Sequence, residues 1–279
     1  MDFKQSLVAT TITATLITSL PVLAQQRYEY ELGINHFTTE TSSGTESTQT
    51  SPFASFYFRP VNTHNKPLAE AAFLDRTGFT TIAFSQGEDR SDDTLGLTLL
   101  LDIRSHDRDT TFQLGHSNLD SNGGNIEVKS YKIGLGHYIS NNQHVGIEYN
   151  NTNNGSLNDL RSYNIGIKTK TVRSLTGDSA FKLIAGIKRM ATQLDDINDT
   201  NMSYAFDADF YPNPSSNLGA GIEINRGDDI FEEGTTLSVK AGYFILPTIE
   251  ITASFSRFLP SYTSVEEEQK LRIGIRGRF

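Results

Sequence analysis

One rhythm constrains this chain more than any other feature: apolar side chains recur at every second position, in short runs, almost to the last residue. Leu95, Leu97, Leu99, Leu101 and Ile103 alternate with Gly96, Thr98, Leu100, Asp102 and Arg104. Tyr163, Ile165 and Ile167 alternate with Asn164, Gly166 and Lys168. The same pattern returns at Met202–Phe210, Leu237–Ile245 and Leu271–Ile275. Successive strand side chains point to opposite faces, so each run is a strand with one apolar and one polar face.

Such runs recur about 14 times. They lie near 27–38, 50–60, 77–87, 93–105, 109–119, 126–140, 143–152, 160–172, 178–191, 201–211, 216–226, 235–246, 248–258 and 268–279. Each is close to the ~9–11 residues that a tilted strand needs to cross hydrocarbon. An even count returns both termini to one side, the periplasmic side in single-chain bacterial barrels. The connections alternate as well. Ser105-His106-Asp107-Arg108, Ser140-Asn141-Asn142-Gln143, Pro212-Asn213-Pro214-Ser215 and Leu246-Pro247 are tight and read as periplasmic turns. The stretches Glu88 to Asp93, Asp195 to Asp199, Asp228 to Glu233 and Ser261 to Glu268 are longer and acidic, and read as external loops.

Alternation alone does not say which face meets water. A soluble two-sheet sandwich or a lipocalin-like barrel would bury the apolar face. A membrane barrel would turn it to lipid and enclose the polar face. The strand number exceeds a lipocalin's eight. The polar face is rich in Gly, Asn and charge, as a wet lumen would be. Aromatic residues gather near strand ends: Tyr28, Phe37, Phe58, Phe79, Phe112, Tyr131, Tyr163, Phe210, Tyr243 and Phe279, the placement of interfacial girdles. Polar entries on the apolar face (His36, His116, His137 and Arg257) also fall near strand ends. An open sheet edge in lipid would leave backbone groups unpaired, so the sheet must close. The expectation is an all-β, transmembrane antiparallel barrel.

Four further properties fit. Residues 1–24 carry a weakly charged start, an apolar Thr-rich middle and Val22-Leu23-Ala24 at the end, the layout of a removable signal peptide. The barrel domain would then be 25–279, beginning at Gln25. After Ala24 no stretch of roughly 18 apolar residues occurs, and the mean hydropathy is -0.37, as expected when only alternate residues face lipid. There are no cysteines, which removes disulfides, thiolate nucleophiles and zinc–thiolate sites. The net charge of -9 argues against nucleic acid as a partner.

One segment breaks the rhythm. Residues 59–76 read Arg-Pro-Val-Asn-Thr-His-Asn-Lys-Pro-Leu-Ala-Glu-Ala-Ala-Phe-Leu-Asp-Arg. Pro67 suits the first turn of a helix, and the residues after it are mostly good helix formers. A short helix over 67–75 is expected in the first periplasmic connection, either as a packing clip at the barrel bottom or as a constriction of the pore. The string Pro-Val-x-Thr…Pro-Leu-Ala-Glu-Ala-Ala-Phe-Leu-x-Arg resembles a family of general bacterial porins, sharply over 53–77 and by pattern elsewhere. C-terminal Phe279, after alternating Ile273, Ile275 and Gly277, is similar to the signature read by the barrel-assembly machinery. The resemblance implies an outer-membrane channel, and general porins are often homo-oligomers.

Parity assigns to the lumen the acids Glu29, Glu31, Asp102, Glu148, Asp207, Asp209, Glu223 and Glu250. It assigns there the bases Arg104, Lys132, Lys168, Lys170, Lys182, Lys188, Lys240, Arg272, Arg276 and Arg278. Tyr57, Tyr138 and Tyr211 are further lumen candidates. Bases on the eighth and ninth strands would oppose Glu29 and Glu31 across the ring, giving either a transverse field or ordinary solvated charge. At the closing seam Arg276 and Arg278 should approach Glu29 and Glu31 as wet ion pairs worth ~0–1 kcal/mol each.

No catalytic, cofactor or metal site emerges. His116 and Ser117 are adjacent on a strand and so face opposite ways. Asp195-Asp196-Ile197-Asn198-Asp199 lacks the spacing of an EF-hand loop; the acidic loops read as solvated, or else as binders of divalent cations that bridge lipopolysaccharide. The expected function is passive diffusion of small hydrophilic solutes through a bacterial outer-membrane pore, with lipid and lipopolysaccharide as surroundings. The alternative is a barrel that handles one ligand, such as an oligosaccharide, a lipid or an adhesion partner.

Overall fold

The computed structural model describes residues 27–279 apart from 90–91, 106–108, 122–126, 156–159, 176–177, 195–196, 228–232 and 263–264. The expected signal peptide, most of the turn after Ser105 and parts of the acidic loops lie outside the described residues.

Fourteen strands close into one antiparallel barrel in sequence order. They are β1 (Arg27–Thr41), β2 (Glu46–Asn62), β3 (Phe79–Asp89), β4 (Asp92–Arg104), β5 (Thr110–Ser121), β6 (Glu127–Ser140), β7 (Gln143–Asn154), β8 (Leu160–Ser174), β9 (Ala180–Leu194), β10 (Ile197–Asn213), β11 (Ser216–Gly227), β12 (Gly234–Leu246), β13 (Ile249–Pro260) and β14 (Glu268–Arg278). β1 completes the ring by pairing with β14, Glu31 opposite Arg278 and Gly33 opposite Arg276. The start of β1, the end of β14 and the described tight turns share one end, the periplasmic end in barrels of this kind.

The apolar parity faces outward with nothing over it. Leu95, Leu99, Ile103, Phe206, Val239 and Ile273 are all exposed. The other parity encloses Glu31, Asp102, Asp209, Glu250 and Arg278, each nearly buried. A sandwich or lipocalin would show the reverse, so the observed faces decide for the membrane barrel. A one-residue slip of any strand would exchange the two sets, which is why the register is strongly specified.

The wall has one mid-strand break among the described ladders. β2 and β3 pair at Thr50–Gln86 and again at Phe53–Ala83, with nothing between. Pro52 carries no N–H to donate there. A bulge where β1 meets β2 shifts the register between Tyr28 and Tyr30 and reverses the parity of β1 below it.

That bulge corrects the aromatic assignment. Tyr28 turns inward and packs edge-on against Tyr57 at 5.2 Å. Phe79 also lies inside, 5.5 Å from Tyr57, and Phe37 lies inside under the Arg272 guanidinium. Phe58, Tyr131, Phe210 and Tyr243 are outward and exposed. The outward face also carries more charge than expected: Lys129, Arg161, Arg173 and Arg226 join Arg257 toward strand ends, and Arg189 lies nearer the middle of β9.

Candidate functional site

The candidate site is the barrel interior, and its centre is the β2–β3 connection. This segment forms a 3-10 turn, Leu68–Glu70, running directly into α1, Ala71–Leu74. The helix is one turn shorter than the 67–75 expectation. It stops in a C-terminal motif in which Arg76 N–H donates to Phe73 C=O and Thr77 N–H to Ala72 C=O, with Arg76 in the left-handed region at φ 51°. Glycine usually holds that position. Here the Arg76 side chain offsets the strain: it pairs with Asp109, donates to Asn141 Oδ1 at 3.0 Å and stacks on Tyr138 at 4.5 Å.

The insert reaches many strands at once. Leu68 N–H donates to Pro214 C=O at 2.9 Å, and Leu68 C=O accepts from Arg278 at 2.8 Å. Tyr138 Oη donates to Phe73 C=O, and Arg104 to Ala72 C=O, both at 3.2 Å. Two small apolar clusters seat it, one of Tyr28, Tyr57, Val61 and Ala71, the other of Phe73, Tyr138 and Val172. The segment therefore reaches across the interior at the end where β1 begins and β14 ends.

Glu70 is the anchor. Its carboxylate takes Lys170 at 2.5 Å and Lys182 at 2.9 Å, and accepts from Tyr211 Oη at 2.9 Å. Burial alone would push its pKa up; the two ammonium groups outweigh that and hold it down at about 2. Lys182 also meets Asp209, which Lys240 approaches at 3.0 Å while reaching Asp207 at 3.3 Å. Gly219 stands opposite Asp209, and a Cβ there would fall 1.9 Å from Asp209 Oδ1, so only glycine leaves room for this cluster.

A second knot closes the seam. Arg276 pairs with Glu31 at 2.8 Å and with Glu250, and Tyr57 Oη donates to Glu31 at 2.7 Å. Arg278 lies 3.8 Å from Glu31 and 3.7 Å from Glu250, between the rings of Tyr28 and Phe244. Glu31, Glu250 and Arg278 are buried and Arg276 is half-buried, so the expectation of wet pairs is corrected. Glu250 takes the partner's place assigned to Glu29, which sits at the bulge and joins no ion pair among the described residues.

The remaining interior charges fall into place by parity. Asp102 holds Arg104 at 2.9 Å and accepts from Gln113. Lys132 pairs with Glu148 at 2.8 Å, and Lys188 lies 3.8 Å from Glu223. Arg272 donates to Asn35 at 3.0 Å. Lys168 has no acidic partner among the described residues and lines a void of about 220 Å³ beside the insert, with Phe73, Asp102, Lys132 and His144. A second void of about 220 Å³ lies between Asn35, Lys240, Arg272 and Arg276. Toward the far end the space widens to about 500 Å³, lined by Lys188, Asn201, Ser203, Glu223, Asn225 and Lys270. The transverse separation of charge is not found: Lys170 and Lys182 are answered by Glu70 and Asp209 on the spot, and Glu31 by Arg276.

Sequence reasoning missed Glu70, because strand parity says nothing about a residue in a connection. The available signal was its place in the one helix-forming stretch, among interior lysines left with too few acids. Phe279 lies at the seam, where its backbone C=O accepts from Glu29 and Tyr30 and its N–H donates to Tyr30 C=O. His116 packs on Tyr131 on the outer face at 4.8 Å, away from Ser117. Among the described residues no group of three His, Asp or Glu side chains is placed to hold a metal ion.

The Acinetobacter baumannii outer-membrane protein Omp33 is similar in fold, with TM-score 0.59, 18% identity, and 91% of this chain and 99% of that chain covered. A bacterial polysaccharide outer-membrane secretin aligns at TM-score 0.57 and 11% identity, covering 90% and 99%. The Pseudomonas putida toluene transporter TodX aligns at TM-score 0.54 and 10% identity, covering 94% and 92%. At these identities the likeness is one of fold. No curated protein matches the sequence. The family described as "Putative general bacterial porin" matches residues 4–259. With that match spanning most of its length, the chain belongs to this family of outer-membrane porins.

Proposed function

We propose that the barrel is a passive outer-membrane channel for small hydrophilic solutes, narrowed at its periplasmic end by the β2–β3 insert. The observation that carries this reading is the interior itself: a closed ring lined by paired charges and amides, with polar-lined voids beside the insert and beyond it. Solutes enter the wide polar vestibule and pass the Lys132, Lys168 and Lys170 side of the insert, where local cation excess favours small anions weakly. Diffusion is down the gradient; no reaction and no cofactor is assigned. Residues 1–24 direct export and are removed, so intact-mass measurement of the outer-membrane form should begin at Gln25.

Planar-bilayer recording of the purified protein, with reversal potential in a salt gradient, tests the proposal. Discrete ohmic steps with a slight anion preference are expected. Silence across ±100 mV (on the order of a physiological potential) in a folded, detergent-stable preparation overturns it.

A further inference from the structure

The void of about 500 Å³ beyond the insert is balanced in charge. Lys188 lies 3.8 Å from Glu223, and Lys270 pairs with Glu268 at 2.5 Å; all four line it. Beside the insert, by contrast, Lys168 has no acidic partner among the described residues. An anion therefore gains more beside the insert. In the larger void a solute meets fixed dipoles and two opposed pairs, which favour neither sign of charge.

Uncharged polar groups fill the wall between those pairs. Directly opposite residues on neighbouring strands share a face. Ser203 of β10 stands opposite Asn225 of β11, and Glu223 of β11 opposite Thr236 of β12. Thr236 stands opposite Phe258 of β13, and Ser256 of β13 opposite Lys270 of β14. Among the described residues the side chains of Asn225, Thr236 and Ser256 have no hydrogen-bond partner. Asn201 lines the same void, is only 5% exposed, and its Oδ1 is buried without a partner. An unmet buried oxygen of this kind is costly. The terminal torsion of asparagine is soft, so a hydroxyl arriving in the void can satisfy it. Ala205, opposite Glu223, and Gly186, opposite Ala205, add no bulk to the wall. The Phe258 ring lies flat over Gly234, where an added Cβ would fall 2.6 Å from ring carbon Cε2. With Met190 it gives the void an apolar patch.

A ligand that suits this wall carries many hydroxyls, an apolar C–H face and no net charge. Those are the properties of a sugar. The volume falls within the ~300–1,000 Å³ of small-molecule sites. We propose that the wall is a binding station for a neutral mono- or disaccharide. Asn201, Asn225, Thr236 and Ser256 take its hydroxyls, and Phe258 with Met190 takes a C–H face of the ring. This deepens the channel reading and rests on it, naming neutral sugars among the hydrophilic solutes. Binding is weak, because a station in a conducting path must also release its solute.

The test uses the full mature barrel with maltose as the probe. Saturation-transfer NMR on the detergent-folded protein reads contact whether or not the channel conducts. In a planar bilayer, maltose should reduce the open current saturably, with half-block on the order of millimolar. N201L should raise both half-saturation points about tenfold, and T236V/S256A several-fold, each block being read as a fraction of that variant's own open current. Heat-modifiability shows whether each variant is folded. The two variants touch different strands, so misfolding of one leaves the other decisive. A polyethylene glycol of matched size should block in proportion to its volume, without saturation. A folded wild type with neither saturation transfer nor saturable block overturns the proposal. So does equal affinity in the wild type and the folded variants, or a saturable block by the glycol equal to that by maltose. Absence of current without sugar would overturn the channel reading alone; saturation transfer that weakens in N201L would still uphold the site.

Discussion

The two ends of this barrel are built from the same residue types and behave as different materials. At the end bearing the termini, Glu31, Glu70, Asp102, Asp209, Glu250 and Arg278 are nearly buried, each met by ions or aromatic rings across several strands. At the far end Lys188 and Glu223 stand 3.8 Å apart with more than a third of each side chain in the open, beside a void of about 500 Å³. The difference comes from one connection. The insert brings Leu68, Ala71 and Phe73 into the lumen, which expels water, and the charges around it must then pair or be costly. Where no insert reaches, the same lysines and carboxylates stay solvated and need no fixed partner. A barrel of fourteen strands is wide enough to hold both regimes.

The sharpest way to break the comparison is to remove its cause. Deleting residues 66–75 and bridging the gap with glycine and serine should raise single-channel conductance several-fold, because the narrow end then becomes as wide and wet as the far end. An unchanged conductance in a correctly folded deletion would sink the idea that the insert sets the resistance, leaving it a packing clip.

The next largest effect separates buried from solvated charge. Glu250→Gln should leave Arg276 and Arg278 with Glu31 as their one remaining carboxylate among the described residues, Arg278 being held between Tyr28 and Phe244. Removing one partner of a buried pair costs ~3–5 kcal/mol, so the urea midpoint of unfolding from detergent or liposomes should fall clearly. A loss under ~1 kcal/mol would place the seam in the wet regime, since solvated pairs cost that little.

Acid should loosen the same end. Docked, Glu70 titrates at about 2; released, at its ordinary 4.5. The docked state binds fewer protons in that window, so its stabilisation is complete above pH 4.5 and is lost as pH falls toward 2. Conductance should therefore rise between pH 4.5 and 2 in the wild type. Glu70→Gln should show the more open level at neutral pH and respond far less to acid. Identical pH curves for the two proteins would assign the response to other interior carboxylates.

Most of this architecture was legible because a strand writes its two faces into alternate letters. The fourteen strands, the outward Leu95 to Ile103 face and the inward Asp102 and Lys182 all follow from parity. What parity does not carry is anything that interrupts or leaves the strand. The bulge beside Tyr30 sent Tyr28 inward, and Phe79 went with it because its partner positions, Tyr57 and Asp102, face the lumen. Arg76 in its left-handed turn and Glu70 under the lysines depend on where one short connection lands, and that is fixed by the closed barrel as a whole. Pairing of charges was unreadable for the same reason. Glu250 meets Arg276 only once β13 and β14 register, and Glu70 meets Lys182, which lies 112 positions further along the chain.

The smallest effect is also the control on the comparison. Glu223 lies opposite Ala205 and Thr236 on the wall of the wide vestibule, accepts from Ser203 Oγ at 2.5 Å, and is 3.8 Å from Lys188. Glu223→Gln keeps the shape and the bond to Ser203 while removing one charge that water already screens. Stability should change by less than ~1 kcal/mol, and conductance hardly at all. Reversal potential in a salt gradient should move slightly toward anions, because Lys188 and Lys270 line the same void. If this substitution instead destabilised the barrel as much as Glu250→Gln, the vestibule charges would be as tightly coupled as those around the insert. The widening of the lumen would then have to be explained by strand geometry alone, since a wet vestibule cannot make a single screened carboxylate structural.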